Sequence, residues 1–277
     1  MKTFLLRFAA LLCLGLRAFA DGPISSIPPI EAGAKDALNK SPRHGEWVDV
    51  SVPGAKSPLR CFVVYPEIKD KAPVVIVIHE IYGASDWIRA VADRLAADGF
   101  IAIAPDLLSG KGPHGGGTEA VPMCDDVVKL VRELKPDDVV AALNTTREYA
   151  IKLPAANGKS ATIGFCWGGG VSFNYAVAQS ALNAAVVYYG TSPDPVELQK
   201  IKAPVLGLYG SDDARVTSTV PSTAEQMEKH GKSYTHHIYE GAGHGFLRAQ
   251  DARNGANLRA AMQAWPATIA FLREHTK

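Results

Sequence analysis

Short apolar runs rich in β-branched and aromatic residues alternate along this chain with longer segments of helical spacing, and that alternation limits the fold more than any other feature. The runs are Leu59 to Tyr65, Val74 to His79, Phe100 to Ala104, Ala161 to Phe165, Ala184 to Tyr189, Pro204 to Tyr209 and Tyr234 to Tyr239. Most are apolar at consecutive rather than alternate positions, so both faces of the strand must be covered. Helices are expected between them over Ser85 to Ala97, Asp137 to Lys152, Gly168 to Ser180, Ser222 to His230 and Asn257 to Glu274. Strands of this kind, separated by helices, build a mostly parallel central sheet with helices on both faces, an α/β fold. A chain of 277 residues without an internal repeat suits one such domain, from about Trp47 to the C-terminus.

The N-terminal end reads differently. In MKTFLLRFAALLCLGLRAFA, Lys2 and Arg7 precede the apolar stretch Phe8 to Leu16, and Ala18-Phe19-Ala20 closes it with small residues. This is the three-part pattern of a secretory signal peptide, residues 1–20, and it implies an exported protein, periplasmic or secreted. The apolar stretch is too short to span a bilayer readily, and nothing after it suggests membrane insertion. Loss of Lys2, Arg7 and Arg17 takes the formal charge from +1 to −2, and no basic patch calls for a nucleic-acid partner. Residues 21–46, rich in Pro, Gly, Ser and Ala, read as an N-terminal arm.

Export bears on the thiols. The mature chain holds Cys61, Cys124 and Cys166, an odd number in a compartment that favours disulfides, so at least one stays free or pairs with another chain. Cys61 and Cys124 are the pair available for a bridge. There is no C-x-x-C, which removes the main support for a thioredoxin-like oxidoreductase, and cysteine and histidine lack zinc-site spacing. No metal or cofactor is called for.

Cys166 lies in Ile163-Gly164-Phe165-Cys166-Trp167-Gly168-Gly169-Gly170, where a strand gives way to a helix. The spacing G-x-C-x-G is that of a nucleophile elbow with cysteine in place of serine. Glycines suit it because the turn is tight and a Cβ at either flank would meet the neighbouring strand or helix. The helix N-terminus beyond it favours a thiolate. A glycine-rich strand-to-helix turn also suits a phosphate, so the partners decide. Gly210-Ser211-Asp212-Asp213-Ala214-Arg215-Val216 follows one strand and Gly241-Ala242-Gly243-His244-Gly245-Phe246 follows the next. Nucleophile, acid and histidine thus come in the order of an α/β-hydrolase, each at the C-terminal end of a strand, with Asp212 and Asp213 both open as the acid.

These motifs, with Val77-Ile78-His79-Glu80-Ile81-Tyr82-Gly83 and Ala104-Pro105-Asp106-Leu107, make the chain resemble the dienelactone hydrolases, or carboxymethylenebutenolidases, of the α/β-hydrolase superfamily. The resemblance implies a Cys166-His244-Asp213 triad, with Asp213 chosen because it stands three residues before Val216. It further implies that Glu80 contacts the thiol and that Arg248 meets a substrate carboxylate. A second family arginine expected after Pro105-Asp106-Leu107 is missing, and Lys111 is the candidate for its charge. His79 has no assigned role.

On physical grounds, backbone N–H groups of Trp167 and Ile81 would form the oxyanion hole. Glu80, a carboxylate beside the sulfur, would keep the resting thiol protonated. Tyr82, Trp167 and Phe246 would shape an apolar pocket. The substrate expected is a small activated lactone or carboxylic ester, cleaved through a cysteine thioester. The alternatives are a broad short-chain carboxylesterase and a non-catalytic binding protein on a hydrolase scaffold.

Overall fold

A computed structural model describes residues 26–277. The expected signal peptide, residues 1–20, lies outside the described residues. The elements, in chain order, are α1 (Ala34–Asn39), β1 (Gly45–Val50), β2 (Leu59–Val64), β3 (Ala72–Ile78), α2 (Asp86–Ala97), β4 (Ile101–Pro105), α3 (Cys124–Arg132) and α4 (Pro136–Ala150). There follow β5 (Ala156–Phe165), α5 (Trp167–Ala178), β6 (Ala184–Tyr188), β7 (Val205–Gly210), α6 (Ala214–Thr217), α7 (Val220–Lys229), β8 (Tyr234–Tyr239) and α8 (Ala256–His275).

The eight strands form one sheet in the order β1-β2-β4-β3-β5-β6-β7-β8. β1 and β2 pair antiparallel, as do β2 and β4, while every later neighbour is parallel. This is the mostly parallel, helix-covered sheet that the alternating runs imply, in the α/β-hydrolase arrangement that the resemblance implies. Along β3 the side chains divide between two cores. Val75 and Val77 join α2 and α8 on one face, while Val74, Ile76 and Ile78 join α4, α5 and α7 on the other. That explains why the strand is apolar at consecutive positions: each residue faces a buried layer.

The predicted helices are present, with ends moved by a residue or two. The structure adds β1, α1, α3 and the single turn α6. β1 reads Gly-Glu-Trp-Val-Asp-Val and lies mostly half-buried at the sheet edge with polar residues interleaved, so its apolar signal is weak. Within the arm, Ile27 and Ala34 are buried, α1 packs on α2, and Asp93 binds both Ser41 and Arg43. Cys61, Cys124 and Cys166 are all free thiols, so Cys61 and Cys124 form no bridge; Cys61 is buried in β2 and Cys124 is exposed at the start of α3. Among the described residues no helix is long and apolar enough to cross a membrane.

Candidate active site

Cys166 is the single residue between the end of β5 and the start of α5, and it carries φ 55° and ψ −117°. A side-chain-bearing residue rarely adopts this region, and the strain costs on the order of 1–3 kcal/mol. The turn is held at both ends: the Cys166 N–H donates to the Tyr188 carbonyl at 3.0 Å, and the Cys166 carbonyl accepts from the Gly170 N–H at 3.2 Å. The glycines are required by space. A Cβ on Gly164 would stand 1.9 Å from the Gly168 carbonyl oxygen, and one on Gly168 would stand 2.3 Å from that of His79. Only bare backbone lets α5 come this close to β3 and β5, and this approach lifts the sulfur above the sheet edge.

The other strands deliver their groups to the same edge. Asp213 follows β7 and is buried; His244 follows β8, and its Nδ1 lies 2.5 Å from Asp213 Oδ2. With Nδ1–H directed at the carboxylate, the remaining nitrogen Nε2 is left to exchange a proton with the cavity. Asp212, by contrast, is exposed and pairs with Arg253 at 3.0 Å, so of the two aspartates it is Asp213 that lies against His244. A cavity of about 440 Å³ is lined by Cys166, Trp167 and His244 together with Glu80, Ile81 and Tyr82. Among the described residues neither the Ile81 N–H nor the Trp167 N–H is taken by a backbone carbonyl, and the Trp167 N–H faces the sulfur.

Glu80 stands just past the end of β3 and is almost fully buried. Burial pushes its carboxyl up to about 7; the Arg248 guanidinium opposes that rise and the Glu31 carboxylate adds to it. The Cys166 thiol is also raised above its ordinary value, first by burial and then by the neighbouring Glu80 charge, against the lowering influence of the Trp167 N–H and Arg215. The helix N-terminus alone predicts the opposite direction. Here burial and a like charge outweigh it and favour the thiol over the thiolate.

Arg248 lines the cavity, but its partners differ from those expected of a free cation. Its Nε lies 2.9 Å from Glu80 Oε2, as an ion pair whose N–H is not aligned on the oxygen. Its Nη1 pairs with Glu31 of the N-terminal arm, and its guanidinium lies over the Tyr82 ring at 5.0 Å from the centroid. Phe246 does not shape the pocket. It is fully buried among Tyr188, Tyr189 and Tyr239, where an aromatic ring gains more from packing than from solvent contact. Lys111 is not at this cavity either: it lines a separate hollow with residues 52–59 and Leu134. The loop carrying it is turned by the buried Asp106, which accepts from the N–H of Leu108 and from the N–H and hydroxyl of Thr118.

Two cations that the sequence reading passed over, Arg132 at the end of α3 and Arg215 in α6, do line the cavity. Neither has a carboxylate partner among the described residues. Arg215 was legible from its place two residues after Asp213; Arg132 was not, because α3 itself was not anticipated. Tyr189 was missed as well. Its φ is 40°, its ring meets His244 edge-on at 5.1 Å, and its buried hydroxyl faces the Glu80 carboxyl, which it helps to hold down against the rise caused by burial. His79, unassigned in the sequence, is fully buried with its ring stacked on Trp167.

Residues 59–276 match the sequence profile of the Dienelactone hydrolase family. The chain belongs to that family. A Saccharolobus solfataricus protein assigned as a carboxymethylenebutenolidase is 33% identical over 258 residues, spanning 81% of this chain and 96% of its own length. Carboxymethylenebutenolidase 1 of Cupriavidus pinatubonensis is 32% identical over 183 residues, spanning 65% of this chain and 77% of its own. The crystal structure of a Klebsiella pneumoniae protein assigned as a dienelactone hydrolase superposes with a TM-score of 0.71 at 27% identity, covering 83% of this chain and 99% of that one. As a member of the dienelactone hydrolase family the protein is a hydrolase of the lactone and ester class.

Proposed function

We propose that this dienelactone hydrolase family member cleaves a small activated lactone or carboxylic ester through a thioester on Cys166, with Cys166, His244 and Asp213 as its catalytic triad. One observation carries the reading: a strained cysteine between β5 and α5 shares a cavity with a histidine whose Nδ1 is held by a buried aspartate. His244 Nε2 takes the thiol proton as the sulfur attacks the carbonyl carbon, and Asp213 stabilises the imidazolium. The oxyanion is met by the N–H groups of Trp167 and Ile81. The carbonyl re-forms, the alkoxide or enolate leaves with the proton from His244, and the acyl group remains on sulfur. His244 then deprotonates water for attack on the thioester, and the acid and the Cys166 thiol are restored. A thiolate suits activated acyl groups because it is itself a good leaving group, so only a substrate whose own leaving group competes goes forward.

Glu80 acts as the guard of the resting state. Its carboxylate disfavours a second negative charge on sulfur, so the thiolate forms when substrate changes the surroundings of Glu80. A broad short-chain carboxylesterase is the second reading, and the pairing of Arg248 with Glu80 and Glu31 favours it, since that cation is already satisfied. Arg132 and Arg215 remain for an anionic substrate. A panel of enol lactones and nitrophenyl esters, assayed with and without a thiol alkylator, tests the function. Alkylation should abolish all turnover; turnover that survives complete alkylation of Cys166 contradicts it. Preference for anionic lactones over neutral esters, lost in Arg132→Gln, selects the lactonase over the general esterase. Residues 1–20 are proposed as a cleaved export signal, so exported protein should begin at Asp21 on N-terminal sequencing.

A further inference from the structure

The N-terminal arm brings a carboxylate of the protein's own to the rim of the cysteine cavity. Its path is fixed on both sides of that residue. Upstream, the Pro28 carbonyl accepts from Gln250 Nε2 at 2.8 Å and the Pro29 carbonyl from Trp87 Nε1 at 3.0 Å. Downstream, Ala34 is fully buried in α1. At the point between, the Glu31 N–H donates to the Arg248 carbonyl at 3.1 Å, and the Glu31 carboxylate pairs with the Arg248 guanidinium. Backbone and side chain of one arm residue thus both bind one pocket arginine, and Glu31 lies before residues 59–276, the part matched by the family profile.

Arg248 has two carboxylates for one positive charge. Glu80 takes the Nε side from within the cavity, Glu31 takes Nη1 from outside, and Tyr82 covers one face of the plane. A substrate carboxylate approaching the same guanidinium would meet a second negative charge in the place it needs. We propose that Glu31 is a specificity-determining residue of this pocket, an internal carboxylate that occupies Arg248 and so disfavours acyl groups bearing a carboxylate on that side. The Glu31 side chain is 54% exposed and that of Arg248 21%, so the pair sits at the rim, where it is weak enough to be displaced at a cost.

The activity readout rests on the proposed hydrolysis, so the test has a binding readout as well. Wild type, Glu31→Gln and the double variant Glu31→Gln/Arg248→Gln are assayed at pH 8.5 on nitrophenyl acetate and on nitrophenyl hemisuccinate, whose acyl group is anionic. That pH lies above the Glu80 value of about 7, and loss of the Glu31 charge lowers that value, so Glu80 is largely ionised in both wild type and Glu31→Gln. Binding of succinate is measured by calorimetry on the same proteins. Glu31→Gln should raise kcat/KM for the hemisuccinate by about two- to fivefold through KM, the scale of an exposed ion pair, and tighten succinate binding equally. The acetate should change by less than about twofold, and the double variant should lose the gain. Equal changes on both esters, or a hemisuccinate rate and succinate affinity that do not rise, overturn the proposal. If neither ester is hydrolysed by wild type, the hydrolytic reading fails, and the succinate titration alone then decides for or against Glu31.

Discussion

Gly168→Ala puts the geometry of the site to a quantitative test, because the added methyl has a known obstacle. The new Cβ would lie 2.3 Å from the His79 carbonyl oxygen and 2.5 Å from that of Ile78, both backbone atoms at the end of β3. An ordinary carbon–oxygen contact is about 3.3 Å, so α5 must retreat from β3 by roughly 1 Å. That movement separates the Trp167 N–H on α5 from the Ile81 N–H beyond β3 and tilts the sulfur between them. Overpacking of this kind costs about 1–3 kcal/mol, which for a chain of this size lowers the melting temperature by about 2–10 °C. A 1 Å error in reacting groups costs about 100-fold in rate, so kcat/KM on a nitrophenyl ester should fall by about that factor in protein that is still folded at 25 °C. The control is Gly158→Ala, where φ is +85° and a Cβ meets nothing within 4 Å. That variant should lose about 1 kcal/mol of stability from backbone strain and keep its turnover. Wild-type melting and turnover in Gly168→Ala would refute the claim that this helix approach sets the site.

Asp213→Asn should lower kcat by about three to four orders of magnitude on nitrophenyl esters, the scale for loss of the acid that orients a catalytic histidine, while Asp212→Asn stays within about twofold. Glu80→Gln should speed alkylation of Cys166 by iodoacetamide at pH 7.5 by about three- to tenfold, because removing the like charge lowers the thiol pKa and so raises the thiolate fraction. The same substitution changes the pH dependence of folding. The Glu80 carboxyl is raised from 4.5 to about 7 in the folded protein, so its favourable contribution is complete below pH 4.5 and is lost as pH rises through 7. Urea unfolding should therefore show wild type losing stability relative to Glu80→Gln between pH 5 and pH 8, by on the order of 3 kcal/mol at most.

Much of this architecture is written locally in the sequence. The sheet was legible because its central strands are buried on both faces, and Val74 to Ile78 can be apolar without interruption only if two helical layers cover them. The elbow was legible because Gly164 and Gly168 are demanded by backbone contacts that no other residue permits. What stayed hidden depends on tertiary placement. Arg132 reaches the cavity only because α3 packs beside it, and Glu31 reaches Arg248 only because the arm is pinned by Gln250 and Trp87. Lys111 follows the same motif that the missing arginine would, yet the Asp106 turn aims its loop at another hollow. Phe246 stands two residues from His244, but the turn after β8, closed by the Arg248 and Ala249 N–H groups on the Gly245 carbonyl, directs it into the aromatic core.

The central claim is that Cys166 carries the acyl group, and trapping that adduct tests it most directly. His244→Asn removes the base that activates water, so acylation is slow and deacylation slower. The variant is incubated with nitrophenyl butyrate, quenched in acid, digested, and read by peptide mass spectrometry beside wild type and Cys166→Ala. The account predicts one butyryl group on the peptide containing Cys166, released by hydroxylamine, about one equivalent of nitrophenolate per trapped chain, and no adduct or turnover in Cys166→Ala. Turnover in Cys166→Ala, or a butyryl group on another residue with Cys166 unmodified, would contradict it.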